Sequence, residues 1–176
     1  MKIISSIILC LLLNINSKAQ TTPVIYDINN NSLVIDSMAG KKILVIILPL
    51  QRDTGIVHQL VSFQNSHDSL VKIIGMVCWG NNNPAIDTMR SIYAEAVSAG
   101  VFITQGMQPG DSAVDQRQAV IKWLSAMNAD RTANPFALGS KYFISRAGRL
   151  YAQPGSSISL DSHLAENILR SPVPGE

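Results

Sequence analysis

The sequence predicts an α/β domain: a three-layer sandwich with a mixed central sheet and flanking helices. Three observations carry that expectation. Residues 42–49 and 71–77 are apolar without alternation, the pattern of strands covered on both faces. Segments with apolar residues at helical spacing follow each of them. Near the end, two short strand-like runs flank Arg146-Ala147-Gly148, and a last helical segment follows. That order is a βαβ unit followed by a ββα unit.

Taken along the chain, 24–28 reads as a short strand and 32–35 as its hairpin partner, with Asn29-Asn30-Asn31 supplying turn chemistry. The strand at 42–49 ends at Pro49 and the polar cluster 51–55. Ile56, Val57, Leu60, Val61 and Phe63 mark a helix over 56–67. After the strand at 71–77 come Cys78, Trp79 and a turn-rich stretch closed by Pro84. Ile86, Met89, Ile92, Tyr93 and Val97 form one stripe of a helix over 85–99, which Gly100 ends. A short strand at 101–103 and a helix over 119–127 lead to the hairpin strands 141–145 and 149–151. The closing helix is expected over 160–169, capped by Ser159 or Asp161, with a loose tail at 171–176.

Residues 1–19 have the three parts of a secretory signal: Lys2, an apolar run over 3–13, and small residues at Ser17 and Ala19. The run is too short to span a bilayer comfortably. Cleavage before Gln20 is expected, leaving a periplasmic or secreted domain over 20–170 without a membrane span. Lys2 and Lys18 leave with the signal, so twelve basic residues balance twelve acidic ones. No like-charge run suggests a nucleic-acid partner. Cys10 also leaves, making Cys78 the sole thiol and excluding an internal disulfide.

Several strings, in order, resemble the glutathione peroxidase branch of the thioredoxin-like superfamily. They are Ile25-Tyr26-Asp27, Gly40-Lys41 with the strand after it, the run from Ile73 to Cys78, Val120 to Leu124, Lys141 to Leu150, and the ending from Pro154 to Leu169. The resemblance covers 24–169 and implies a thioredoxin-like fold and peroxidase ancestry, with a link to oxidative stress. The family's catalytic set does not carry over. Its peroxidatic position falls on Arg52 or Asp53, its glutamine on Gly80, and its tryptophan-asparagine pair on Ala137-Leu138. The helix that holds a resolving cysteine in some members has no thiol here. In peroxide reduction a thiolate attacks one oxygen, the O–O bond breaks, and the resulting sulfenic acid is reduced by a second thiol. Neither arginine nor aspartate supplies that nucleophile.

Cys78 therefore has two readings. As a displaced catalytic thiol it would use Trp79 as an apolar wall and Asn81 or Asn82 as donors. As a packed residue it is a small hydrophobe, the usual state of a free cysteine. Arg52 is either a solvated loop residue or an anion ligand assisted by free N–H groups at 53–56. His58, His67 and His163 lack metal-ligand spacing, and no cofactor is implied. Two functions follow: a pseudoenzyme acting in binding or scaffolding of a thiol metabolite, a peptide or an envelope protein, or a divergent thiol peroxidase that reduces hydroperoxides through Cys78 with an external thiol. The loops 105–118 and 128–138 are read as possible insertions around the old site.

Overall fold

A computed structural model of the protein describes residues 24–35, 40–78, 86–105, 123–124 and 137–173. Strand β1 (Val24–Tyr26) pairs antiparallel with β2 (Ser32–Val34). Asp27 shapes their turn: its carboxylate accepts from the Asn29 and Asn31 amides at 2.8 and 2.7 Å and from the Asn31 side chain at 2.9 Å. Asn30 takes the left-handed conformation that asparagine tolerates, with φ 67°.

The central sheet is mixed. Strand β3 (Lys42–Pro49) leads through helix α1 (Thr54–His67) to β4 (Val71–Cys78), and α2 (Ile86–Ser98) leads to β5 (Phe102–Ile103). Strands β6 (Lys141–Ile144) and β7 (Leu150–Ala152) then form the hairpin that precedes α3 (His163–Arg170). The strand order is β5-β4-β3-β6-β7. Strands β3, β4 and β5 are mutually parallel, whereas β6 runs antiparallel to β3 and β7 to β6.

The two apolar strands earn their pattern by having a cover on each side. Leu44, Ile46, Leu48, Ile73, Val77 and Phe143 face the helices, meeting Leu60 and Phe63 of α1, Met89 and Tyr93 of α2, and Leu169 of α3. Val45, Ile47, Ile74, Met76 and Tyr142 face the other way, against Ile25, Ile35, Trp123 and Leu124. Trp123 and Leu124 come from the expected 119–127 helix, the rest of which lies outside the described residues. Gly75 sits mid-strand because its neighbours close over it: a Cβ there would meet Leu48 Cδ1 at 2.5 Å and Ile103 Cδ1 at 2.7 Å. Strand β5 is too short to partner all of β4. Gln64 of α1 compensates, its buried side-chain oxygen accepting from the Ile73 amide at 3.2 Å.

Helix ends depart from the expected positions where side chains find better partners. Helix α1 begins at Thr54 because Asp53 caps it. Helix α3 begins at His163, capped by Ser162, whose Oγ accepts from Ala165 N at 3.2 Å. Neither Ser159 nor Asp161 caps it: Ser159 Oγ accepts from the Asp161 amide at 3.2 Å, a local turn that brings Leu160 into the core. Helix α2 ends as foreseen, with Gly100 at φ +91° and the paired bonds Gly100 N–Val97 O and Val101 N–Ala96 O. The start of the expected tail is packed. Lys42 Nζ donates to Leu169 O and Ser171 O at 2.8 and 2.7 Å, and Val173 is buried.

Candidate functional site

The carboxyl edge of β3 and β4 is where the sequence directs attention. Pro49 and Cys78 are register partners at that edge. From Pro49 the chain passes through Leu50, Gln51 and Arg52 to Asp53, which holds extended backbone with φ −120° and ψ 100°. One carboxylate oxygen of Asp53 accepts from Gly55 N at 2.9 Å and from Ile56 N at 3.1 Å. The expected free N–H groups of 53–56 are thus taken by the chain's own anion, for the physical reason that an aspartate at the N-cap answers both orphan donors and the helix dipole. Arg52 is exposed and makes no ion pair with Asp53. Tyr93 of α2 donates its hydroxyl to Pro49 O, anchoring the start of the loop from below. Burial, and then the nearby Asp53 charge, hold the Tyr93 phenol well above its ordinary range.

Cys78 belongs to the other face. Strand alternation turns Val77 toward the helices and Cys78 away from them, where the thiol packs against the Ile47, Met76 and Tyr142 cluster. It is free and half-buried. Burial pushes its pKa up to about 11, which keeps it a thiol at neutral pH. Tyr142, close by on β6, is itself pushed up to about 12 by burial. Trp79, Asn81 and Asn82 lie outside the described residues, as do most of 105–118 and 128–138. The sheet edge therefore sets Cys78 opposite Pro49, where the 50–53 loop begins, while its two faces separate the thiol from the α1 N-terminus.

A feature that sequence reasoning missed lies on the α1 face. A cavity of about 220 Å3 opens beside the first turn of α1, lined by Asp53, Gln59, Gly139, Lys141 and residues 156–159. Lys141 pairs with Ile46 across β3 and β6, so it points to the helix side and is only 3% exposed. Its Nζ donates to Gly139 O at 2.8 Å and to Ser156 O at 3.2 Å. Burial lowers its pKa below the ordinary lysine value. The signal was available in principle: Lys141 shares the alternation of Phe143, which faces the core. Elsewhere, His67 is buried with Nδ1 3.0 Å from Phe63 O, while His58 and His163 are exposed. Among the described residues no group of three or more His, Cys, Asp or Glu side chains could hold a metal. No helix there is long and apolar enough to cross a membrane.

No protein-family model matches this sequence, and no curated protein is similar to it in sequence. Solved structures are similar in shape. The apo form of Trgpx superposes with a TM-score of 0.55 at 13% identity, over 90% of this chain and 100% of that one. The fold is thioredoxin-like. The thioredoxin domain of a thiol-disulfide oxidoreductase from Bacteroides vulgatus gives 0.52 at 15% identity, over 87% and 99% of the two chains. A secreted Mycobacterium tuberculosis disulfide oxidoreductase gives 0.51 at 11%, over 86% and 98%. At such identities the thioredoxin-like likeness is one of fold.

Proposed function

We propose that this chain is an exported thioredoxin-like domain of glutathione peroxidase type that binds a ligand rather than reducing peroxide. One observation carries the reading. At the junction of β3 and α1, where the resembled family keeps its nucleophile, Asp53 turns its carboxylate onto the Gly55 and Ile56 amides. A carboxylate held this way neither attacks peroxide nor leaves those amides to stabilise a thiolate. The raised pKa of Cys78 adds support, because a thiol kept protonated by burial is a poor nucleophile. Export is supported by the signal-like pattern of residues 1–19.

The test is hydroperoxide consumption by the purified protein with glutathione and, separately, with a thioredoxin system. Wild type and Cys78→Ser are both expected to be inert. Turnover that vanishes in Cys78→Ser would overturn the reading in favour of a divergent thiol peroxidase. Export is checked by N-terminal sequencing of secreted or envelope material, which should begin at Gln20; protein retained in the cytoplasm and starting at Met1 would reject it.

A further inference from the structure

We propose that the cavity beside α1 is a binding site for a singly charged carboxylate of the kind that ends a peptide chain. The inference rests on the reading of the chain as a binding domain and gives that reading a ligand class.

The argument starts from Lys141. A buried ammonium is costly unless it is paired and hydrogen-bonded. Here two of its three N–H groups are met by the carbonyls of Gly139 and Ser156. Carbonyl oxygens solvate the cation but bring no countercharge. No carboxylate of a described residue forms an ion pair with it. Lys141 and both residues whose carbonyls accept from it line the cavity, and one N–H of the ammonium has no acceptor among the described residues. The close approach of those two segments is built in. Gly139 has φ +80°, and a Cβ there would come within 3.3 Å of both the Ser156 side chain and its carbonyl oxygen.

The rest of the lining selects among anions. Among the described residues that line it, Asp53 is the only other titratable group. One cation and one anion leave the empty cavity formally neutral, so a monoanion adds a single uncompensated charge and a dianion adds two. A carboxylate is thereby preferred over a phosphate. Among the described residues the second carboxylate oxygen of Asp53 accepts no hydrogen bond, which makes it an acceptor for an N–H next to a bound carboxylate, as in a terminal peptide unit. Gln59 gives its oxygen to the Leu160 amide at 3.2 Å, which leaves its NH2 group as a further donor at the cavity wall. The helix terminus itself plays no part, since Asp53 already occupies it.

The experiment is calorimetric or NMR titration of the purified protein with acetyl-glycyl-glycine, its C-terminal amide, acetate, and inorganic phosphate. Saturable binding of the acid is expected, with the amide and phosphate at least about tenfold weaker, the scale of one lost charged hydrogen bond. Acetate binding as tightly as acetyl-glycyl-glycine would assign the site to free small carboxylates instead of peptide ends and overturn the peptide part. Lys141→Met is expected to weaken the acid about tenfold or more. Asp53→Asn keeps a capping side chain, so it folds; it removes one negative charge and the acceptor for the peptide N–H, and is expected to admit phosphate and to narrow the preference for acetyl-glycyl-glycine over acetate. Equal binding of acid and amide, or affinity unchanged in both variants, would overturn the site. Cys78→Ser is expected to bind like wild type. Failures are separable: Cys78-dependent peroxide turnover with intact carboxylate binding removes the proposed function and keeps the site. An inert protein that never saturates with carboxylate removes the site and keeps the proposed function.

Discussion

The two faces of the sheet meet at one edge and differ in chemistry. On the helix side stand Asp53, Lys141, Gln59 and the hydroxyls of Ser156, Ser157 and Ser159, around a cavity that Ile56 and Ile158 also line. On the opposite side stands Cys78 against Ile47, Met76 and Tyr142, in an apolar setting. Charge is held and hydrogen-bonded on the first face and suppressed on the second. Strand alternation assigns Lys141 and Cys78 of the same sheet to different layers, and so to opposite chemical surroundings.

The largest expected effect breaks the apolar side. Met76→Ala opens a cavity beneath Cys78 and is expected to cost about 2–5 kcal/mol in denaturant unfolding, while speeding thiol alkylation. A loss below about 1 kcal/mol would mean that this face is loosely packed. Next comes the titration of Cys78. Its folded pKa lies above the ordinary thiol value of 9.0, at about 11, because burial disfavours the thiolate. The stability linked to the protonated thiol is therefore full below 9.0 and lost as pH rises through about 11. Alkylation of the folded protein should stay slow at neutral pH and climb only toward that upper value; a fast rate at neutral pH contradicts it.

On the polar side the effects are smaller. Asp53→Ala removes the α1 cap and is expected to cost about 1 kcal/mol, whereas Asp53→Asn should be close to neutral. Equal losses in the two would show that the charge, and not the cap, matters. Carboxylate binding should decline as pH rises through the lowered pKa of Lys141, at lower pH than for an exposed lysine. Binding unaltered until the ordinary lysine range would detach the ligand from Lys141. Arg52→Ala is the smallest, within about 0.5 kcal/mol, as for exposed residues without special contacts. A larger shift would point to a role for Arg52 that its exposed position does not suggest.

Most of the fold was legible because its strongest elements are locally specified. The run from Lys42 to Pro49 has no polar face to offer solvent, and Gly100 announces the end of α2. The turn at Asn29–Asn31 likewise needs only its own residues and Asp27. Legibility fell where several hydroxyls competed: Ser159, Asp161 and Ser162 are all plausible caps, and burial of Leu160 decided for Ser162. The site was legible in part, since the sequence shows Arg52 and Asp53 rather than a cysteine after the first buried strand. The cavity was not, because its walls come from residues far apart along the chain.

By itself the sequence determined the α/β order, the doubly covered strands and the presence of Arg52 and Asp53, without a cysteine, after the first of them. These follow from periodicity and residue identity, which act over a few residues. Only the tertiary structure decided that Asp53 silences the α1 N-terminus, that Cys78 faces away from it, and that Lys141 turns inward between Gly139 and Ser156. Those outcomes depend on which face each strand presents and which segments pack together, and such distances are set by the whole sheet closing around its core.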